Sequence, residues 1–153
     1  MTGDRVPAAG AAVRLVVVLG SNADARRRLQ QARSELERAA AIVAASEEVE
    51  APSYLPGDAS IYRNQALLLE WPGATGGFTA LARDIERRLG RRREAAGAAA
   101  HDVEIDIDLV AGFGGDGALL HLAPEKLAPD LVRTLVRQVV SGCGRAELDE
   151  ALG

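Results

Sequence analysis

Three carboxylates alternate with aliphatic residues in Val103-Glu104-Ile105-Asp106-Ile107-Asp108-Leu109. Successive side chains on a β-strand leave opposite faces. Val103, Ile105, Ile107 and Leu109 are therefore expected to bury one face, while Glu104, Asp106 and Asp108 line the other. Aspartate is a poor strand former, and like charges on one face repel. Neighbours two apart along a strand are separated by about 6.5–7 Å. That spacing is awkward for a shared proton but suits one or two hard cations held between oxygen ligands. A solvated acidic face has the same pattern, and spacing alone does not separate the two.

A basic cluster precedes the acidic one. Arg87, Arg88, Arg91, Arg92 and Arg93 crowd the end of an amphipathic segment and the loop after it. Cations at a helix C-terminus are favoured by the dipole, but five are more than that effect needs. Arginine forks bind phosphate oxygens bidentately. Beside an acidic strand they suggest a site for a metal–polyphosphate complex, in which metal offsets the carboxylates and arginine offsets the phosphates. Nucleic acid is the competing partner for such a patch, but no regular stacking aromatics accompany it.

Tyr62 and Asn64 share a strand face and offer a flat ring and a carboxamide two residues apart, a pair able to stack on and hydrogen-bond to a planar heterocycle. A structural asparagine at a strand entrance is the simpler alternative. Gly20-Ser21-Asn22 reads as a turn that either presents backbone donors to an anion or caps the next helix through Asn22 or Asp24. His101 and His121 are not spaced as joint metal ligands. Cys143, the single cysteine, has no activating partner and excludes an internal disulfide and a Cys-rich zinc site. No nucleophile-elbow, Walker or zincin pattern occurs.

The elements that must position these groups follow from periodicity. Residues 1–12 read as a disordered tail and 13–153 as a single domain. Strands are expected over Val13–Leu19, Ile42–Glu50, Ile61–Trp71 and Val103–Ala111, with helices over Ala23–Ala41 and Phe78–Leu89. The proline- and glycine-containing segment 51–58 reads as a loop, and Gly112–Gly117 as a turn. A short strand at Ala118–Leu122 and a helix opened by Pro129 complete the chain. The order βαββαβ predicts an α+β ferredoxin-like sandwich, helices on one face of the sheet, with an additional C-terminal short strand and helix. Only five residues are aromatic, so the core must be built from Ala, Val, Leu and Ile. The net charge of −4 argues against a generic nucleic-acid binder. Seventeen of the eighteen basic residues are arginine, an enrichment that coding bias explains, so placement says more than number. No apolar run approaches the roughly 20 residues of a membrane span. Ala8–Leu19 is broken by Arg14 and lacks a clean signal-peptide cleavage site. A cytoplasmic domain is expected.

In order and spacing, Leu19-Gly20-Ser21-Asn22, Tyr62-Arg63-Asn64, Ile85-Glu86 with Arg91 five residues on, and Ile105-Asp106-Ile107-Asp108-Leu109 resemble the 6-hydroxymethyl-7,8-dihydropterin pyrophosphokinases of folate biosynthesis, over roughly Val13 to Val140. The resemblance implies a ferredoxin-like enzyme that moves the β,γ-pyrophosphoryl group of ATP to the pterin hydroxymethyl oxygen, leaving AMP. It implies that Asp106 and Asp108 hold two Mg2+ ions bridging the triphosphate. Asn64 then hydrogen-bonds the pterin, Tyr62 lies near its ring, Glu86 lies near the nucleotide, and Arg91 and Arg93 contact phosphate. ATP and a pterin-like molecule are the implied partners, with no nucleic acid or membrane among them. The chain departs from the family pattern at Val103, where an arginine is usual, at Pro124-Glu125, where a His-Tyr pair is usual, and in having no aromatic residue after Phe113. Those departures raise the alternative of a catalytically degenerate ferredoxin-like nucleotide-binding, regulatory or protein-interaction module.

Overall fold

The computed structural model describes residues 12–53, 56–90, 105–140 and 146–153. Along the chain lie β1 (Val13–Ser21), α1 (Ala25–Glu37), β2 (Ala41–Ala45), β3 (Val49–Pro52), β4 (Ile61–Trp71), α2 (Thr75–Arg88), β5 (Asp106–Phe113), β6 (Leu119–Leu122), a 3-10 turn (Pro124–Leu127), α3 (Asp130–Val140) and α4 (Ala146–Leu152). The sheet order is β2-β4-β1-β5-β6, with β3 also on β4, and every pairing is antiparallel. This is the α+β ferredoxin-like plan with C-terminal additions. No helix among the described residues is long and apolar enough to cross a membrane.

The helices occupy both faces of the sheet, not one. Leu15, Val17 and Leu19 of β1 pack with Leu29 and Leu36 of α1 and Phe78 and Ile85 of α2. Val16 and Val18 face the other way, against Val132, Leu135, Val136 and Val139 of α3 and Leu148 and Leu152 of α4. The uninterrupted apolar run Leu15–Leu19 requires this, because a strand buried on both sides needs a layer on each. Each fully buried leucine or valine contributes about 1.5–3 kcal/mol.

Several boundaries differ from the sequence reading. The second expected strand is two: Ser46 interrupts it, its N–H donating to the Ala66 carbonyl and its hydroxyl accepting from the Ala66 N–H. Ala51 and Pro52, expected in a loop, belong to β3, which among the described residues pairs only with β4, so the N–H that proline lacks is not needed. Gly20 and Ser21 end β1 rather than forming a turn. Asp24 precedes α1 at φ 49° and makes no side-chain cap bond, while Asn22 Nδ2 donates to Ser60 Oγ at 3.0 Å. Gly112 belongs to β5, so the turn narrows to Gly114–Gly117.

Candidate active site

The β1 register assembles the site. Gly20 lies opposite Asn64 on β4 and opposite Asp106 on β5, and Val18 lies opposite Ala66 and Asp108. Directly opposed residues share a face. Tyr62, Asn64, Gly20, Asp106 and Asp108 therefore stand together on the α3 side of the sheet. The middle position of the Asn64–Gly20–Asp106 row carries no side chain, which leaves a hollow between carboxamide and carboxylate.

Two cavities open on this row. One, of about 270 Å³, is bordered by Gly20, Tyr62 and Asn64, with Pro52 and Ser53 from the end of β3 and Pro129 and Val132 from α3 and its approach. The other, of about 490 Å³, is bordered by Phe78, Thr79, Ala82, Arg83 and Glu86 of α2 and by His121 of β6. Asp106, Asp108, Glu125 and Lys126 border both. The acidic pair thus stands at a boundary that two different ligands would share.

The electrostatics of that boundary are unbalanced. Burial pushes the Asp108 carboxyl up to about 6, and the Asp106 charge and a hydrogen bond with Asp106 push the same way. The two side chains therefore converge more closely than the strand repeat alone suggests. Lys126 Nζ donates to Asp108 Oδ1 at 3.0 Å and offsets only part of this effect. The same bond holds the Lys126 ammonium above its ordinary value. Surplus negative charge on adjacent oxygen donors is what a hard divalent cation neutralises, so Asp106 and Asp108 fit Mg2+. Among the described residues no cluster of three or more His, Cys, Asp or Glu forms a metal cage. Magnesium's habit of combining one or two carboxylates with phosphate oxygens and water suits such a pair.

Glu86 is buried, and its role is structural at close range. β6 covers only Ala111–Phe113 of β5, so the outer edge of Asp106–Leu109 has no strand partner among the described residues. Glu86 Oε2 accepts the Ile107 N–H at 2.9 Å, taking the place of the missing strand. The carboxylate of α2 thereby fixes the backbone between the two aspartates. Glu86→Ala is expected to cost about 1–3 kcal/mol by orphaning that donor. A lowered melting temperature with faster hydrogen exchange at the Ile107 amide checks this, and Glu86→Gln, which keeps an acceptor oxygen, should restore most of the protection.

On the smaller cavity's wall, Asn64 is 8% exposed, its Nδ2 making long contacts with the carbonyls of Tyr62 (3.4 Å) and Val49 (3.5 Å). Behind it, Glu48 lies between Arg33 (2.8 Å) and Arg63. Burial acts to raise the Glu48 carboxyl, but hydrogen bonds from Arg63 and Arg33 outweigh it and hold it below the usual range.

The arginine cluster divides. Arg87 pairs with Asp84, and Arg88 with Asp84 and Glu35, as surface ion pairs, and neither is among the described residues bordering these two cavities. Arg91, Arg92, Arg93, His101, Val103, Glu104 and Cys143 lie outside the described residues. Sequence reasoning passed over Arg83, Thr79 and Lys126. The first two were within reach, since Thr79, Arg83 and Glu86 follow the i, i+4, i+7 stripe of one helix face. Lys126 had no such signal.

Residues 16–131 match the family model for 7,8-dihydro-6-hydroxymethylpterin-pyrophosphokinase (HPPK). The chain belongs to the HPPK family. A search of curated proteins finds no match. The HPPK match runs from β1 into the first turn of α3, and so contains Asn64, Asp106, Asp108 and Lys126 together. The HPPK family comprises pterin pyrophosphokinases of folate biosynthesis, transferases that use ATP and Mg2+.

Proposed function

We propose that the chain transfers the β,γ-pyrophosphoryl group of ATP to the hydroxymethyl oxygen of 6-hydroxymethyl-7,8-dihydropterin. The observation that carries this reading is the pair of cavities meeting at Asp106 and Asp108. The larger, with Arg83 and His121, takes the nucleotide. The smaller, with Tyr62 and Asn64, takes the pterin, the ring lying near the Tyr62 side chain and the heterocycle's polar edge near Asn64. The acceptor hydroxyl oxygen then attacks the β-phosphorus, the bond from the β-phosphorus to the oxygen bridging it to the α-phosphorus breaks, AMP leaves, and the hydroxyl proton passes to solvent. Asp106 and Asp108 would hold Mg2+, two ions in this reading, which would supply positive charge to offset the triphosphate and favour in-line displacement. Glu86 keeps both carboxylates in register through the Ile107 amide. Arg91 and Arg93, which follow α2 in the sequence, contact phosphate in this reading. No protein nucleophile is required, and the work of the chain is positioning and charge neutralisation.

The deciding experiment supplies ATP, Mg2+ and 6-hydroxymethyl-7,8-dihydropterin and separates AMP from ADP. AMP formed in step with pterin consumption is the expected result. No AMP above background at saturating substrate overturns the reading. Heat of ATP·Mg2+ binding in that case would favour the degenerate nucleotide-binding module, for which Tyr62 as the one aromatic residue on the smaller cavity's described wall is the supporting observation.

A further inference from the structure

Lys126 is the chain's single lysine. Its backbone is fixed: the Lys126 N–H donates to the Ala123 carbonyl at 3.0 Å, the Ala123 N–H to the Val110 carbonyl of β5 at 2.8 Å, and the next residue, Leu127, is buried in the core on the α3 face. Its side chain is not confined, being 41% exposed. The ammonium reaches Asp108 Oδ1 at 3.0 Å and stands where both cavities meet, together with Asp106, Asp108 and Glu125. Among the described residues it is the one cation bordering both cavities, since Arg83 borders only the larger.

We propose that Lys126 is a place-holding cation: it occupies Asp108 when no metal is bound, and moves to the polyphosphate when metal takes that carboxylate. An ammonium and a divalent cation compete for the same oxygen. A compact charge on a four-carbon stem can leave one anion for another nearby without moving its backbone. The anion that arrives with the metal runs from the larger cavity toward the smaller, past the fixed base of the lysine. The second half of the proposal rests on the pyrophosphokinase reading; the first half does not.

The two halves predict opposite signs for one substitution. In Lys126→Met, Mn2+ alone, followed by calorimetry or by its paramagnetic resonance signal, is expected to bind about three- to tenfold tighter, because its competitor is gone. Mn2+ with a non-hydrolysable ATP analogue is expected to bind about tenfold more weakly, and AMP formation to fall about 10²-fold at unchanged acceptor KM. Lys126→Arg should restore part of the analogue affinity. A surface ion pair without this role would move none of these readouts. Unchanged or weaker Mn2+ binding overturns the place-holding role, and unchanged analogue binding overturns the phosphate role. If the wild-type protein forms no AMP, the pyrophosphokinase reading fails, while both binding measurements still decide Lys126. Circular dichroism of each variant confirms that the fold is retained.

Discussion

Asp108→Asn is expected to abolish AMP formation and, in the metal-free protein at pH 7–8, to raise the melting temperature. Both effects come from one imbalance. The Asp108 carboxyl titrates near 6 in the folded chain against an ordinary 3.8, because burial and then the neighbouring Asp106 disfavour its charge. A carboxyl whose folded value is raised binds its proton more tightly when folded. Stability from this group is therefore greatest below about pH 4, and is lost as pH rises through 6. At pH 8 the folded protein carries the full cost. Discounted for the carboxylate's remaining contact with water, that cost is about 1–2 kcal/mol. Asparagine keeps the shape and drops the charge, so the variant should melt about 2–6 °C higher at pH 8 and lose that advantage at pH 4. Mg2+ should reverse the ranking, stabilising only the chain that binds it. Turnover should fall by about 10³-fold or more, since a hard-cation ligand is gone. Thermal melts at two pH values, with and without Mg2+, check this. A variant less stable than wild type at pH 8 without metal would show that the charges are already balanced. AMP formation within about tenfold of wild type would remove Asp108 from the metal site.

This trade was partly legible in the sequence. The alternation Ile105-Asp106-Ile107-Asp108 by itself places both aspartates on one face, because strand period is a local property. Tyr62 and Asn64 were likewise assigned one face, and the register of β4 on β1 brings them beside the aspartates. The continuous run Leu15–Leu19 already implied apolar layers on both sides, although the reading kept the helices on one. Pairing was not local. Lys126 lies eighteen residues after Asp108 and reaches it only because β6 folds back along the end of β5 and the 3-10 turn continues from it. The role of Glu86 was hidden for a related reason. A glutamate on a helix gives no sign that it will accept an N–H from an uncovered strand edge until the shortness of β6 is known. Charge counting misled at Arg87 and Arg88, where Asp84 and Glu35 complete ordinary surface pairs.

Gly20→Ala is expected to weaken acceptor use about 10- to 100-fold while leaving metal and nucleotide binding unchanged. A methyl carbon at position 20 would stand 3.3 Å from Asn64 Oδ1 and 3.9 Å from Tyr62 Cδ2. The first contact is too close for comfort. Asn64 has little room to yield, because it is buried and its Nδ2 is turned to the Val49 and Tyr62 carbonyls. Displacing the carboxamide by a few tenths of an ångström moves the group proposed to read the heterocycle, and the methyl fills the hollow between it and Asp106. Asp106 itself does not appear among the atoms within 4 Å of that carbon, so the metal side of the row is spared. Stability should change little, since alanine gains about 0.5–1 kcal/mol over glycine in a strand and loses some of that to the contact. Gly76→Ala is the matched control, because a methyl there meets nothing within 4 Å and sits on α2. The measurement is acceptor KM against Mn2+ and ATP-analogue affinity in both variants. A selective rise in acceptor KM for Gly20→Ala assigns the smaller cavity to the acceptor. An unchanged acceptor KM would move the acceptor elsewhere, because no ligand seated over the Asn64–Gly20–Asp106 row can ignore a side chain added at its centre.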